Sequence, residues 1–106
     1  MQFHHLNNIL TKNLFPGFEG KIIHTQSQTI GFWEIKAGSI LPAHSHFHEQ
    51  ITTVTSGKLE LTIGEETQLM EAGTVATIAS NIVHSGKAVT DCTVIDIFTP
   101  VREDYK

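Results

Sequence analysis

Hydrophobic and polar residues alternate along much of this chain with the period of a β-strand. The pattern is cleanest from Lys58 to Ile63, where Leu59, Leu61 and Ile63 fall on one face and Lys58, Glu60 and Thr62 on the other. A strand with one buried and one wet face requires this, because successive side chains point to opposite sides of the backbone. The same reading predicts strands over Phe18–Thr25, Thr29–Lys36, Thr74–Ile78, Val83–Val89 and Cys92–Phe98. Turn-forming residues separate them at short intervals, at Phe15-Pro16-Gly17, Ala37-Gly38, Ser56-Gly57, Gly64-Glu65, Ala72-Gly73, Ser80-Asn81 and Thr90-Asp91. Asn7–Leu14 keeps no firm period and reads as a loose helical turn or an extended arm. No segment carries the apolar stripe of a helix. The predicted class is all-β, a sandwich or barrel closed on itself, since closure removes exposed strand edges.

Composition narrows the picture. A chain of 106 residues, 40% of them hydrophobic, suits one domain with a modest core. The net charge of -4, with seven Lys plus Arg scattered singly, offers no basic stripe for nucleic acid and no polybasic face for anionic lipid. A small-molecule or protein partner is expected instead. The N-terminus lacks a signal-peptide pattern, and nothing reaches the run of about 20 apolar residues that spans a bilayer. A soluble protein of the cytoplasm is therefore expected, and the single cysteine, Cys92, fits that compartment as a small buried apolar residue. His4 and His5 read as solvated, and Trp33 and Phe32 as core or subunit-contact surface.

Candidate chemistry concentrates in Gly38–Gly57, GSILPAHSHFHEQITTVTSG. If this stretch is one extended strand, His44, His46, His48 and Gln50 share a face. Two imidazoles on a rigid strand can share a divalent ion, and His84, after a second glycine-punctuated stretch, supplies a third nitrogen. The Gln50 carboxamide oxygen adds a neutral donor, which leaves the ion its full charge and favours polarising chemistry over a structural role. Closed structural zinc sites lean on cysteine, and Cys92 lies far from this pattern. His48 could support a ligand, face a substrate or turn to solvent if the strand bends. Gly86 and Ala88 alternate with His84 and leave space beside it. On the last strand Val94, Asp96 and Phe98 share a face, so a carboxylate sits in an apolar setting. It is either hydrogen-bonded on an outer face or an acid–base group opposite the metal.

These glycines and histidines together resemble the cupin family of small β-barrels. Its first motif is matched by Gly38, His44, His46, Gln50 and Gly57, with Gln50 where glutamate is usual. The second is matched by Gly73 and His84, while Ala79, Asn81 and Ala88 depart from its Pro, Gly and Asn. The resemblance implies a single cupin domain over residues 1–106, a double-stranded β-helix or jelly-roll barrel, with an arm at 1–17 and the motifs at 38–57 and 73–88. The tail Asp96–Lys106, DIFTPVREDYK, and the strand His44–Gln50 are similar to the pectin-degradation cupins that linearise 4,5-unsaturated uronate monosaccharides. That resemblance implies metal ligands His44, His46, Gln50 and His84, catalytic Asp96 and Arg102, and a substrate wall of Phe98 and Arg102; His48 stands beside them as a candidate substrate contact from the strand alternation alone. It also implies a small sugar acid as partner, one divalent transition ion (Ni, Zn, Fe, Mn or Co) and a homodimer. A surface ion pair with Glu103 or Asp104 is the plain alternative for Arg102. The competing functions are a metal-dependent cupin dioxygenase and a non-catalytic sugar- or metal-binding module.

Overall fold

The computed structural model describes residues 2–106, and nearly all of its regular structure is strand. The strands are β1 Lys12–Phe15, β2 Phe18–His24, β3 Thr29–Ile35, β4 Ile40–His44, β5 Glu49–Ser56, β6 Leu59–Ile63, β7 Glu66–Met70, β8 Val75–Ile78, β9 His84–Ala88 and β10 Cys92–Thr99. Short 3-10 turns occupy Leu6–Asn8 and Glu103–Tyr105. The irregular segment Asn7–Leu14 thus combines both of its readings, the end of a turn followed by the start of an edge strand. Among the described residues no helix is long and apolar enough to cross a membrane.

Two antiparallel sheets form, ordered β1-β2-β3-β10-β5-β8 and β4-β9-β6-β7. Their inner faces meet in one core, to which the larger sheet brings Trp33, Ile35, Val54 and Val94 and the smaller Leu59, Leu61, Met70 and Ala88. The alternation in β6 is realised, with Leu59 and Leu61 buried and Glu60 exposed. Cys92 is buried and unpaired, as expected. β10 lies between β3 and β5 and pairs with both along most of its length. Its inner face, carrying Val94, Asp96 and Phe98, therefore sits deep in the jelly-roll barrel.

One expected element does not form. Gly38–Gly57 is not a single strand, because β4 belongs to the four-stranded sheet and β5 to the six-stranded one. The chain leaves the first sheet after His44, turns through Ser45–His48 and enters the second at Glu49. A strand cannot keep both ladders without such a corner. The Asn81 backbone N–H pins the corner by donating to the His46 carbonyl at 2.8 Å. Asn81 itself has φ 66°, a left-handed conformation that Asn tolerates better than most residues and that the glycine usual at this motif position adopts freely.

Gly57, between β5 and β6, has φ +77°, and a β-carbon there would stand 2.0 Å from the Asp91 carbonyl oxygen and 2.7 Å from the Cys92 Cα. Backbone cannot yield as a flexible side chain does. Gly57→Ala is expected to lower unfolding free energy by about 3 kcal/mol, the sum of strained backbone and overpacking. Urea denaturation of the two proteins checks it.

Candidate metal centre

Three elements deliver the histidines. His44 ends β4, His46 lies in the corner and His84 opens β9, directly across the β4–β9 ladder from His44. Their rings gather with centroids 4.3 to 5.7 Å apart, and each brings one nitrogen within 4.8 Å of the others. All three rings are oriented by the same device. Nδ1–H of His44 donates to the Pro42 carbonyl at 2.9 Å, that of His46 to the His48 carbonyl at 3.0 Å and that of His84 to the Ile82 carbonyl at 2.9 Å. This fixes the tautomer and leaves each Nε2 as a lone-pair donor. His84 Nε2 is buried with no protein partner among the described residues. Burial holds His46 and His84 below the ordinary imidazole value, so both are neutral at pH 7. An orphaned buried nitrogen among pre-oriented rings is what a divalent transition ion requires.

Gln50, near the start of β5, reaches the same point from the other sheet, with Oε1 3.0 Å from His46 Nε2. Its amide is oriented by the opposite end: Nε2–H donates to Thr52 Oγ1 at 2.9 Å and to Asp96 Oδ1 at 3.2 Å. Thr52 in turn donates to Asp96 Oδ1 at 2.6 Å. This arrangement turns the carboxamide oxygen towards the histidines and ties the candidate ligand to the carboxylate of β10. Burial outweighs those hydrogen bonds and pushes Asp96 up to about 6.

A cavity of about 290 Å³ opens beside this centre. His44, Gln50, His84, Asp96, Phe98 and Arg102 all line it, together with Gly86, where the missing side chain leaves room as expected. Arg102 is buried, its guanidinium over the Phe98 and Tyr105 rings at 4.8 and 4.1 Å. It pairs with Asp104, one of the two partners in the plain alternative, Nε at 3.0 Å and Nη2 at 2.8 Å, with the guanidinium buried in the cavity wall and the Asp104 side chain exposed. Nη1 takes no part in that pair. The Arg102 backbone N–H is anchored on Thr29 Oγ1 at 2.8 Å, and Lys12 Nζ donates to the Tyr105 carbonyl, so the tail is held across the barrel.

A family model for the Cupin domain matches residues 31–98. The chain belongs to the cupin family. No curated protein matches it at the level of sequence. Among solved structures it is similar to KdgF from Halomonas sp., with a TM-score of 0.93 and 26% identity over 100% of this cupin and 99% of that chain. An RmlC-like cupin from Shewanella frigidimarina superposes with a TM-score of 0.94 at 19% identity, covering 100% and 96% of the two chains. Salicylate 1,2-dioxygenase from Pseudoaminobacter salicylatoxidans shares the fold at 16% identity and a TM-score of 0.77, over 82% of this cupin and 28% of that larger chain.

One position in this cupin departs from a straight-strand reading. His48 does not line the cavity; the corner withdraws it behind His46, buried, with the two ring centroids 5.5 Å apart and Phe47 stacked outside it. Of the roles the sequence left open for His48, solvation is excluded by this burial, and its backbone carbonyl accepts the His46 Nδ1–H. Tyr105 and Thr52 join the cavity wall without having been singled out, and Trp33, read as core or subunit-contact surface, joins it too. Thr52 alternates with Gln50 on β5, a signal available in the sequence. Tyr105 reaches the cavity through the turn at Glu103–Tyr105, which no periodicity announces. Burial pushes its phenol up to about 12, so it stays protonated.

Proposed function

We propose that this cupin opens the ring of 4,5-unsaturated uronate monosaccharides, with one divalent transition-metal ion held by His44, His46, Gln50 and His84. The observation that carries the reading is one cavity shared by the histidine cluster, a deeply set carboxylate, Asp96, and a buried guanidinium, Arg102. The likeness to KdgF over the whole chain and the tail resemblance to the uronate-linearising cupins support it. When bound, the ion supplies Lewis acidity that lowers the energy of negative charge on oxygen.

Arg102 orients the substrate carboxylate, using donors left free by Asp104. Phe98 forms the apolar wall beside it. Asp96 accepts the proton of the anomeric hydroxyl, the C–O bond from the anomeric carbon to the ring oxygen breaks, and its electron pair stays on that oxygen as an enolate. An aldehyde forms at one end. Protonation of the enolate carbon gives the open-chain keto acid, so the net change is an isomerisation with no electron gained or lost. Arg102 stabilises charge that develops on oxygen during the step.

Arg102→Ala is expected to raise KM about 10- to 100-fold, the equivalent of a charge-assisted hydrogen bond of about 1.5–3 kcal/mol, with Arg102→Lys recovering part of it. Steady-state kinetics at matched metal content measure both. The reading itself is tested by following the unsaturated uronate by nuclear magnetic resonance under strict anaerobiosis. Ring opening without oxygen supports it. Turnover that appears only on admitting oxygen, with oxygen consumed, assigns the centre to dioxygenase chemistry, and saturable binding without turnover to a binding module.

A further inference from the structure

Trp33, the single tryptophan of the chain, lies flat on bare backbone. Its cross-strand partner on β2 is Gly20, where a β-carbon would stand 2.3 to 2.8 Å from the six-membered ring. Two residues back on its own strand is Gly31, where a β-carbon would stand 2.7 Å from Nε1. Glycine in the middle of a strand is unfavourable and marks a close approach. Here two of them form the shelf for one indole. Gly31 is also the β3 partner of Asp96 on β10, and Trp33 that of Val94, so Trp33 and Asp96 stand diagonally across the β3–β10 ladder and line the same cavity. Trp33 is 6% exposed, and Nε1 has no hydrogen-bond partner among the described residues. An aromatic residue that only filled space would not need this donor there, since burying an unpaired N–H costs stability.

Asp96 Oδ1 is already committed to Thr52 and Gln50, and the indole adds a third donor to the surroundings of the carboxylate. We propose that the Trp33 indole N–H is a positioning donor, which closes a hydrogen bond to Asp96 when the cavity is filled and holds the carboxylate on the substrate hydroxyl. The inference deepens the ring-opening reading and rests on it for its kinetic consequence. Trp33 touches no reacting atom; it acts through Asp96.

Because there is one tryptophan, growth on β-(3-benzothienyl)alanine exchanges the N–H for sulfur at this position alone and keeps the shape. The zinc-loaded analogue protein is expected to lose about tenfold in kcat, with KM and Tm unchanged. Gly31→Ala, which displaces Nε1, is expected to repeat the loss. In nitrogen-15 spectra of the zinc-loaded wild type, the single indole N–H resonance is expected to move downfield on adding the unsaturated uronate, and to stay put in Asp96→Ala. An unchanged kcat in the analogue protein overturns the inference. If the wild type opens no ring, the functional reading falls and the indole resonance alone decides: a shift that requires Asp96 sustains the contact, and one equal in both proteins, or none, overturns it.

Discussion

Asp96→Asn is expected to lower turnover by about 10²–10⁴-fold, the range lost with a general base, while zinc stays bound at one ion per chain. Asparagine keeps an oxygen for Thr52 and Gln50 to donate to, so the Gln50 amide remains oriented. What disappears is the basic oxygen facing the cavity. The same substitution is expected to stabilise the chelated protein. Asp96 is pushed from 3.8 up to about 6 by burial, so the folded state holds its proton more tightly than the unfolded chain. The stability this contributes is complete below about pH 4 and is lost as pH rises through 6. At pH 8 the wild type therefore bears a cost of about 3 kcal/mol, at 1.36 kcal/mol per pKa unit, that asparagine does not. Thermal melts of the two chelated proteins at pH 4 and pH 8 measure it: the variant should gain on the wild type at the higher pH. Loss of activity together with loss of stability at pH 8 would mean that Asp96 serves the fold.

The second large effect lies at His84. His84→Ala removes the ring whose Nε2 is buried without a partner, and with it the ligand that joins β9 to the centre. Ring opening is expected to fall to the rate of the chelated wild type. The stability readout is independent of substrate. Zinc at about 1,000 times its dissociation constant should stabilise the wild type by about 4 kcal/mol through mass action, and His84→Ala by almost nothing at the same concentration. Melts with zinc and with chelator separate this from the packing defect left by the missing ring, which appears in both. A variant that zinc stabilises as fully as the wild type would remove His84 from the ligand set.

Much of this molecule is legible in the order of its residues. The alternation of Leu59, Leu61 and Ile63 placed β6 and its buried face correctly, because a period of two has one physical meaning in a half-buried strand. The His-X-His pair and His84 were legible for a different reason: glycines at Gly38, Gly57 and Gly73, all with positive φ, space the turns that bring β4 and β9 together. The corner at Ser45–His48 was hidden, since alternation within a short segment looks the same whether the chain stays in its sheet or changes to the other. The role of His48 stayed open for that reason. Trp33 was legible as a core residue but not as a donor. Its importance comes from Gly20 and Asp96 on neighbouring strands, which are remote in sequence and adjacent only after β2, β3 and β10 pair. Arg102 shows the same limit, for its ion pair with Asp104 could be read locally, whereas its burial over Phe98 and Tyr105 depends on how the tail crosses the barrel.

The most direct measurement is the ultraviolet absorbance of a lyase-generated unsaturated uronate monosaccharide, whose conjugated double bond reports the closed ring. It is followed with the metal-loaded protein and, in parallel, with the same protein after chelation. The expected result is rapid loss of absorbance with the loaded protein and only the spontaneous rate with the chelated one, restored by adding the metal back. Equal rates in the two samples, with one ion per chain confirmed in the loaded one, would contradict metal-dependent ring opening by this cupin.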